Sequence, residues 1–172
     1  FKAADLGLDV TIVEPEANPG GVCLHRGCIP SKAFLHAAKL IREAEESHEM
    51  GVTFGKPKID VPKLRAWKDG IVETLTGGLG GKVKHKKIRH VRGRARFHGP
   101  KALTVELVEG GEATLEFEQA ILATGSRPAL PPFVEGLSER IIDSTGALDP
   151  TRAPTSLLVI GGSQWLVKRI TR

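Results

Sequence analysis

Apolar positions along this chain change their spacing several times, and each change marks an element. Asp9-Val10-Thr11-Ile12-Val13-Glu14 is a short β-branched run ending in an acid, which predicts a strand. The residues ahead of it read as a helix entered part-way and stopping at Gly7, so together they predict the tail of a β-α-β unit. Phe34, Leu35, Ala38, Leu40 and Ile41 then fall at helical spacing. They predict an amphipathic helix from Ser31 to about Ser47, its first turn holding Cys28 to Lys32. Asp60 predicts the cap of a second helix, with Pro62 tolerated in its first turn and Gly77-Gly78 weakening its far end.

After that the period becomes two. Leu103, Val105 and Leu107 alternate with polar residues, as do Leu115 and Phe117, and Glu109-Gly110-Gly111-Glu112 between them is a hairpin signal, so a small antiparallel meander is expected. Gln119 to Gly125 predicts a buried strand ending at a turn, followed by a proline-rich exit from Pro128 to Pro132. Ser138 to Pro154 reads as a linker, and Leu157 to Ile160 as a second buried strand ending at Gly161-Gly162. Strands and helices in this order place the chain in the α/β class.

Composition narrows the class of protein more than the fold. With 172 residues, 40% hydrophobic and 26% charged, the chain is ordinary globular material, which excludes collagen, coiled coil and disordered tail. Its longest apolar runs fall far short of the roughly 20 residues that span a bilayer, so no membrane segment is expected. The first eight residues lack the apolar core and cleavage site of a signal peptide, which makes a cytoplasmic location the expectation. The net charge of +5 suggests an anionic partner at first. Yet nine basic residues and no acid lie between Glu73 and Glu106, while the remainder carries more acids than bases. Stacking on nucleic acid would need aromatics there, and only Phe97 is present, so no nucleic-acid partner is expected; a non-enzymatic basic binding module is the alternative that this segment leaves open.

Cys23 and Cys28, five positions apart with Gly27 just before the second, can be bridged if the chain turns between them. Cys28 falls at a helix start, where unpaired N–H groups favour an anion, and Lys32 lies one turn on, so a thiolate at Cys28 is expected to be stabilised. Cys23, on the preceding loop, is the more accessible sulfur for exchange. Spacing alone leaves two inert thiols or a zinc site as rivals, although His25 sits too tightly between the cysteines to ligate easily beside both.

The run Gly20-Gly21-Val22-Cys23-Leu24-His25-Arg26-Gly27-Cys28-Ile29-Pro30-Ser31-Lys32 resembles the active-site segment of the flavin-dependent pyridine nucleotide-disulfide oxidoreductases, and Cys-Ile-Pro-Ser-Lys looks most like their dihydrolipoyl dehydrogenase branch. Thr76-Gly77-Gly78-Leu79, Ala123-Thr124-Gly125-Ser126-Arg127-Pro128 and Asp143-Ser144-Thr145 extend the likeness. The resemblance implies an incomplete doubly wound, Rossmann-like FAD-binding domain over residues 1–150 with the meander, and the first strand of an NAD-binding domain over residues 151–172. It implies an NAD-dependent flavoenzyme that oxidises dihydrolipoamide, with glutathione- or mercuric-reductase chemistry as the neighbouring alternatives. The implied substrate is the lipoyl domain of a 2-oxo acid dehydrogenase complex, and the implied assembly a homodimer.

Residue by residue, the likeness makes Cys23 the sulfur that exchanges with substrate and Cys28 the charge-transfer thiolate facing the flavin. Glu14 would bind the ribose of FAD, Gly20, Gly21, Val22 and Cys23 would lie along the cofactor, and Lys32 would sit near its ring. Ala95, in a stretch resembling Gly-x-Gly-x-Phe, would meet the adenine through its backbone, provided its φ is negative. Ala123, Thr124 and Gly125 would approach the flavin or its phosphates, and Gly161 and Gly162 the nicotinamide cofactor. Four departures stand out. His25 replaces the usual Asn and Pro19 the usual Leu; Leu166 and Lys168 break the second dinucleotide fingerprint, so that the last residues read as a foreign end. The phosphate-cradling glycine turn is expected ahead of Phe1, and no histidine matches the family's His-Glu base.

Overall fold

The computed structural model describes residues 1–134, 136–160 and 167–171. A one-turn helix α1 (Lys2–Asp5) ends at Gly7, whose φ of +84° suits the reversal into β1 (Thr11–Val13). A short helix α2 (Gly21–Arg26) and a long one, α3 (Cys28–Glu46), follow, then α4 (Val61–His85). The chain returns through β2 (Arg89–Val91), which pairs parallel with β1, Ile12 opposite His90. Next comes the expected meander: β3 (Gly93–Phe97), β4 (Ala102–Leu107) and β5 (Glu112–Glu116), all antiparallel. After a short helix α5 (Ser144–Ala147), β6 (Ser156–Ile160) pairs antiparallel with β7 (Val167–Thr171).

The two long helices form where their patterns predict. Asp60 caps α4 by accepting from the Lys63 backbone N–H at 3.0 Å, a contact whose loss costs about 1 kcal/mol. Contrary to expectation, α4 runs through Gly77-Gly78 and on to His85. Each interior glycine costs a helix about 1 kcal/mol. Burial offsets that here: Thr76, Gly80 and Val83 are all buried, and the face at Gly80 is occupied by the Asn18 side chain, which a Cβ would strike. The helix ends with Lys87 in the left-handed region (φ 53°), and the Ile88 N–H returning to Val83 O closes the turn.

In the meander, register puts Ala95, Val105 and Ala113 in one row and Phe97, Leu103 and Leu115 in the next. Val105 at its centre is fully buried, and Phe97 meets Phe117 edge-on with centroids 6.0 Å apart. Gly93 is buried where β3 starts. A Cβ there would collide with Glu106 O and lie 2.6 Å from Val105 Cγ1. Gly93→Ala is therefore expected to lower stability by about 1–3 kcal/mol through overpacking, read as an earlier urea midpoint at unchanged slope.

The basic segment is dispersed through structure. Lys82, Lys84 and His85 occupy the last turn of α4, where positive charge complements the helix dipole. Lys86 pairs with Asp5 and holds its carboxyl below the usual value, Arg92 donates to Pro15 O at 3.4 Å, and Arg94 lies opposite Glu106.

Two expected buried strands are otherwise. Gln119 to Gly125 joins no sheet, and Ile121 and Leu122 are 91% and 72% exposed. A strand needs a neighbour for its N–H and C=O groups, and among the described residues the parallel sheet consists of β1 and β2 alone. The strand at Leu157 to Ile160 forms, but exposed and as half of an antiparallel pair. Surface area agrees: the chain exposes 13857 Å², against about 8200 Å² for a compact monomer of its mass. No described helix is long and apolar enough to cross a membrane.

Candidate active site

The site is built on the connection between β1 and α3. β1 is followed by Glu14, whose backbone N–H donates to Val91 O across the parallel pair and whose Oε1 accepts from the Glu16 N–H at 3.1 Å. The carboxylate thus shapes the turn that follows. From there the loop reaches Gly20, extended at φ 173°, and Gly21, left-handed at φ +60°, which opens α2. Cys23 lies within α2 and not on a loop as expected, because the six residues from Gly21 to Arg26 close a short helix of their own.

Gly27 then breaks the chain between α2 and α3. A Cβ at Gly27 would lie 2.9 Å from Val22 O and 3.0 Å from Cys23 Cα, so only glycine lets the start of α3 fold back this closely upon α2. Gly27 O receives both the backbone N–H (3.1 Å) and Oγ (2.7 Å) of Ser31, which fixes the first turn of α3. Cys28 is the first residue of that helix, as expected. Both thiols are free and exposed, and Cys23 adjoins Cys28 closely enough to shift its titration.

Electrostatics qualifies the expected thiolate. The adjoining Cys23 thiol, by its proximity and then by its charge, pushes the Cys28 thiol above its ordinary value. The backbone at the helix start and Lys32 pull the other way, as the sequence suggests, but more weakly. The neighbouring Cys23 therefore outweighs the helix start. Cys23→Ala removes both of the larger influences. At pH 7 Cys28 is then expected to react with iodoacetamide several-fold faster, roughly three- to tenfold, as judged by mass of the 27–32 tryptic peptide.

Other expected residues fall in three groups. Gly125, left-handed at φ +70°, brings the Ala123-Thr124-Gly125 turn against Val22, 3.5 Å from its Cγ2 to a Cβ placed on the glycine; Ala123 and Thr124 are exposed. Gly20, Gly21, Val22, Cys23, Cys28, Lys32 and Gly125 thus share one region, to which the loop from Glu14 leads. Ala95 lies apart, in the middle of β3 with its φ not positive, which meets the condition set for it. Gly161 and Gly162 lie outside the described residues. Among the described residues no group of three His, Cys, Asp or Glu side chains is placed to hold a metal ion, and His25 turns to Asn18 O at 3.1 Å. Sequence reasoning missed Glu16 and Asn18, which hold the loop to α2 and α4; a run of glycines inside a helix was the available sign that another segment approaches it there.

An α/β scaffold with two adjoining thiols at the start of a helix is the frame of a thiol–disulfide oxidoreductase. The pyridine nucleotide-disulphide oxidoreductase family matches residues 1–164, and the chain belongs to that family. It is 48% identical to the dihydrolipoyl dehydrogenase of Vibrio cholerae and 49% identical to that of Geobacillus stearothermophilus, in each case over 94% of this chain. The chain spans about a third, 34%, of the length of these relatives. Its fold also matches the crystal structure of LpdA from Mycobacterium tuberculosis with a TM-score of 0.75 at 19% identity, covering 90% of this chain and 34% of that one.

Proposed function

We propose that the chain is the dithiol-bearing part of an FAD- and NAD-dependent dihydrolipoyl dehydrogenase, spanning residues 1–150 of an FAD-binding domain and, in residues 151–172, the start of an NAD-binding domain. The observation that carries this reading is the pair of exposed, adjoining thiols at Cys23 and Cys28, in a chain whose curated relatives bear that name. FAD is fitted by what surrounds the pair. Left-handed glycines at 21 and 125 leave main chain unshielded on either side of Val22, and one oxygen of Glu14 remains for a ribose hydroxyl beyond the bond it makes to Glu16. Lys32, one turn past Cys28, would complete the flavin side, Ala95 would meet the adenine, and Ala123 and Thr124 would add backbone contacts. Gly161 and Gly162 would serve NAD. When bound, FAD supplies a two-electron acceptor that hands a hydride to NAD+.

The chain's own part is thiol exchange. In the oxidised pair, a dihydrolipoamide thiolate attacks Cys23 Sγ, the Cys23–Cys28 bond breaks, and Cys28 leaves as the thiolate. The second substrate thiol then displaces Cys23, which takes a proton, and the lipoamide disulfide forms. The natural donor in this reading is a lipoyl domain of a 2-oxo acid dehydrogenase complex, met by a cytoplasmic homodimer. These 172 residues contain no Gly-x-Gly-x-x-Gly turn to cradle a pyrophosphate and are not expected to turn over alone.

A substrate panel tests the assignment. The FAD-loaded enzyme carrying this chain is offered dihydrolipoamide with NAD+, glutathione disulfide with NADPH, and mercuric ion with NADPH. Turnover is expected with the first pair only. Turnover with either of the others in its place would move the enzyme to the glutathione or mercuric branch.

A further inference from the structure

Four residues separate the cysteines: Leu24, His25, Arg26 and Gly27. Two of them reach out of α2 to a single short loop. Arg26 pairs with Glu16, and His25 Nε2 lies 3.1 Å from Asn18 O. That loop is held at its own ends as well. The Glu16 N–H donates to Glu14 Oε1, and the Asn18 side chain occupies the notch that Gly80 leaves in α4. A Cβ on Gly20 would crowd Leu24 at 2.9 Å and His25 at 3.2 Å, so the loop also lies directly against α2.

We infer that His25 and Arg26 are positioning residues of the dithiol: with Glu16 and Asn18 they form a two-point clamp that holds α2 so that the Cys23 and Cys28 sulfurs stay within reach of each other. The inference rests on the redox reading of the pair. Closing a disulfide normally costs the freedom of the segment between the cysteines. Here that freedom is already removed in the dithiol, so the disulfide forms more readily. The Arg26–Glu16 pair is itself half exposed and worth little to global stability. Its effect is local, on the order of one six-residue helix, and shows in the redox equilibrium and not in the melting of the chain.

The test equilibrates the full chain with glutathione and its disulfide at pH 7, quenches with acid and counts protein thiols. In the reaction the Cys23–Cys28 bond forms, the glutathione disulfide bond breaks, and two electrons and two protons pass to two glutathione thiols. The His25→Ala/Arg26→Ala double variant is expected to shift the equilibrium about tenfold toward the dithiol, equal to about 30 mV for a two-electron couple. His25→Gln with Arg26→Lys, which keep a donor and a cation, and the swap Glu16→Arg with Arg26→Glu, are expected to return to within about threefold of the parent. Arg42→Ala, which removes an exposed pair elsewhere on α3, leaves the equilibrium unchanged. If the double variant loses its helical circular dichroism, single Arg26→Ala and the swap decide: a shift that the swap reverses supports the clamp, and one that it leaves standing overturns it. A double variant within about twofold of a parent that forms the disulfide overturns the clamp alone. A parent that forms no Cys23–Cys28 disulfide overturns the redox reading.

Discussion

Cys28→Ser is expected to abolish intramolecular disulfide formation and to leave Cys23 trapped as a stable mixed disulfide when the chain meets glutathione disulfide. Cys23 is exposed, so attack on it needs no opening of the fold. What resolves the mixed disulfide in the parent is a second, adjoining sulfur, and serine cannot take that role. In the FAD-loaded enzyme the same substitution, and Cys23→Ser likewise, is expected to reduce dihydrolipoamide-dependent NADH formation by at least on the order of a thousandfold, since both sulfurs act as one unit. Mass spectrometry of the chain, showing one added glutathione in Cys28→Ser and none retained in the parent, reads the first effect. A Cys28→Ser enzyme with near-parental turnover would remove Cys28 from the mechanism.

Gly27→Val is expected to have the next largest effect. The Cβ alone would press on Val22 O and Cys23 Cα, which are backbone atoms with no side-chain freedom to yield, and the two methyls of valine add to the crowding. α2 and the start of α3 must then separate, which parts the two sulfurs. The expected cost is about 1–3 kcal/mol of stability together with a fall of more than about tenfold in disulfide yield under native conditions. Urea denaturation measures the first and thiol counting after glutathione equilibration the second. A variant that loses stability yet keeps full disulfide yield would show that Gly27 serves folding only.

The helices and the meander were legible in the sequence because their signals are local. Asp60 caps by its own side chain, the apolar spacing of α3 lies within one segment, and Gly110 and Gly111 both take the positive φ that their hairpin needs. The cysteine segment was legible for a different reason: its thirteen residues carry chemistry that few other arrangements require. What could not be read depends on distant residues. Gln119 to Gly125 has a strand's composition but finds no neighbour among the described residues to pair with. The glycines of α4 look like a stop until Asn18, some sixty residues earlier, is seen lying against Gly80. The Cys28 thiol illustrates both sides. Its helix start and Lys32 are visible in sequence and act in the expected sense, yet the larger influence comes from how closely Cys23 is folded against it.

The most direct measurement is a non-reducing tryptic map of the chain after equilibration with glutathione disulfide. Trypsin cuts after Arg26, between the two cysteines, so a bridge joins residues 3–26 to residues 27–32 as one linked species. The expected result is that linked species as the main product, two hydrogens lighter than the sum of its free peptides and absent after reduction. Two separately glutathionylated or unmodified peptides, with no linked species, would contradict a redox pair at Cys23 and Cys28.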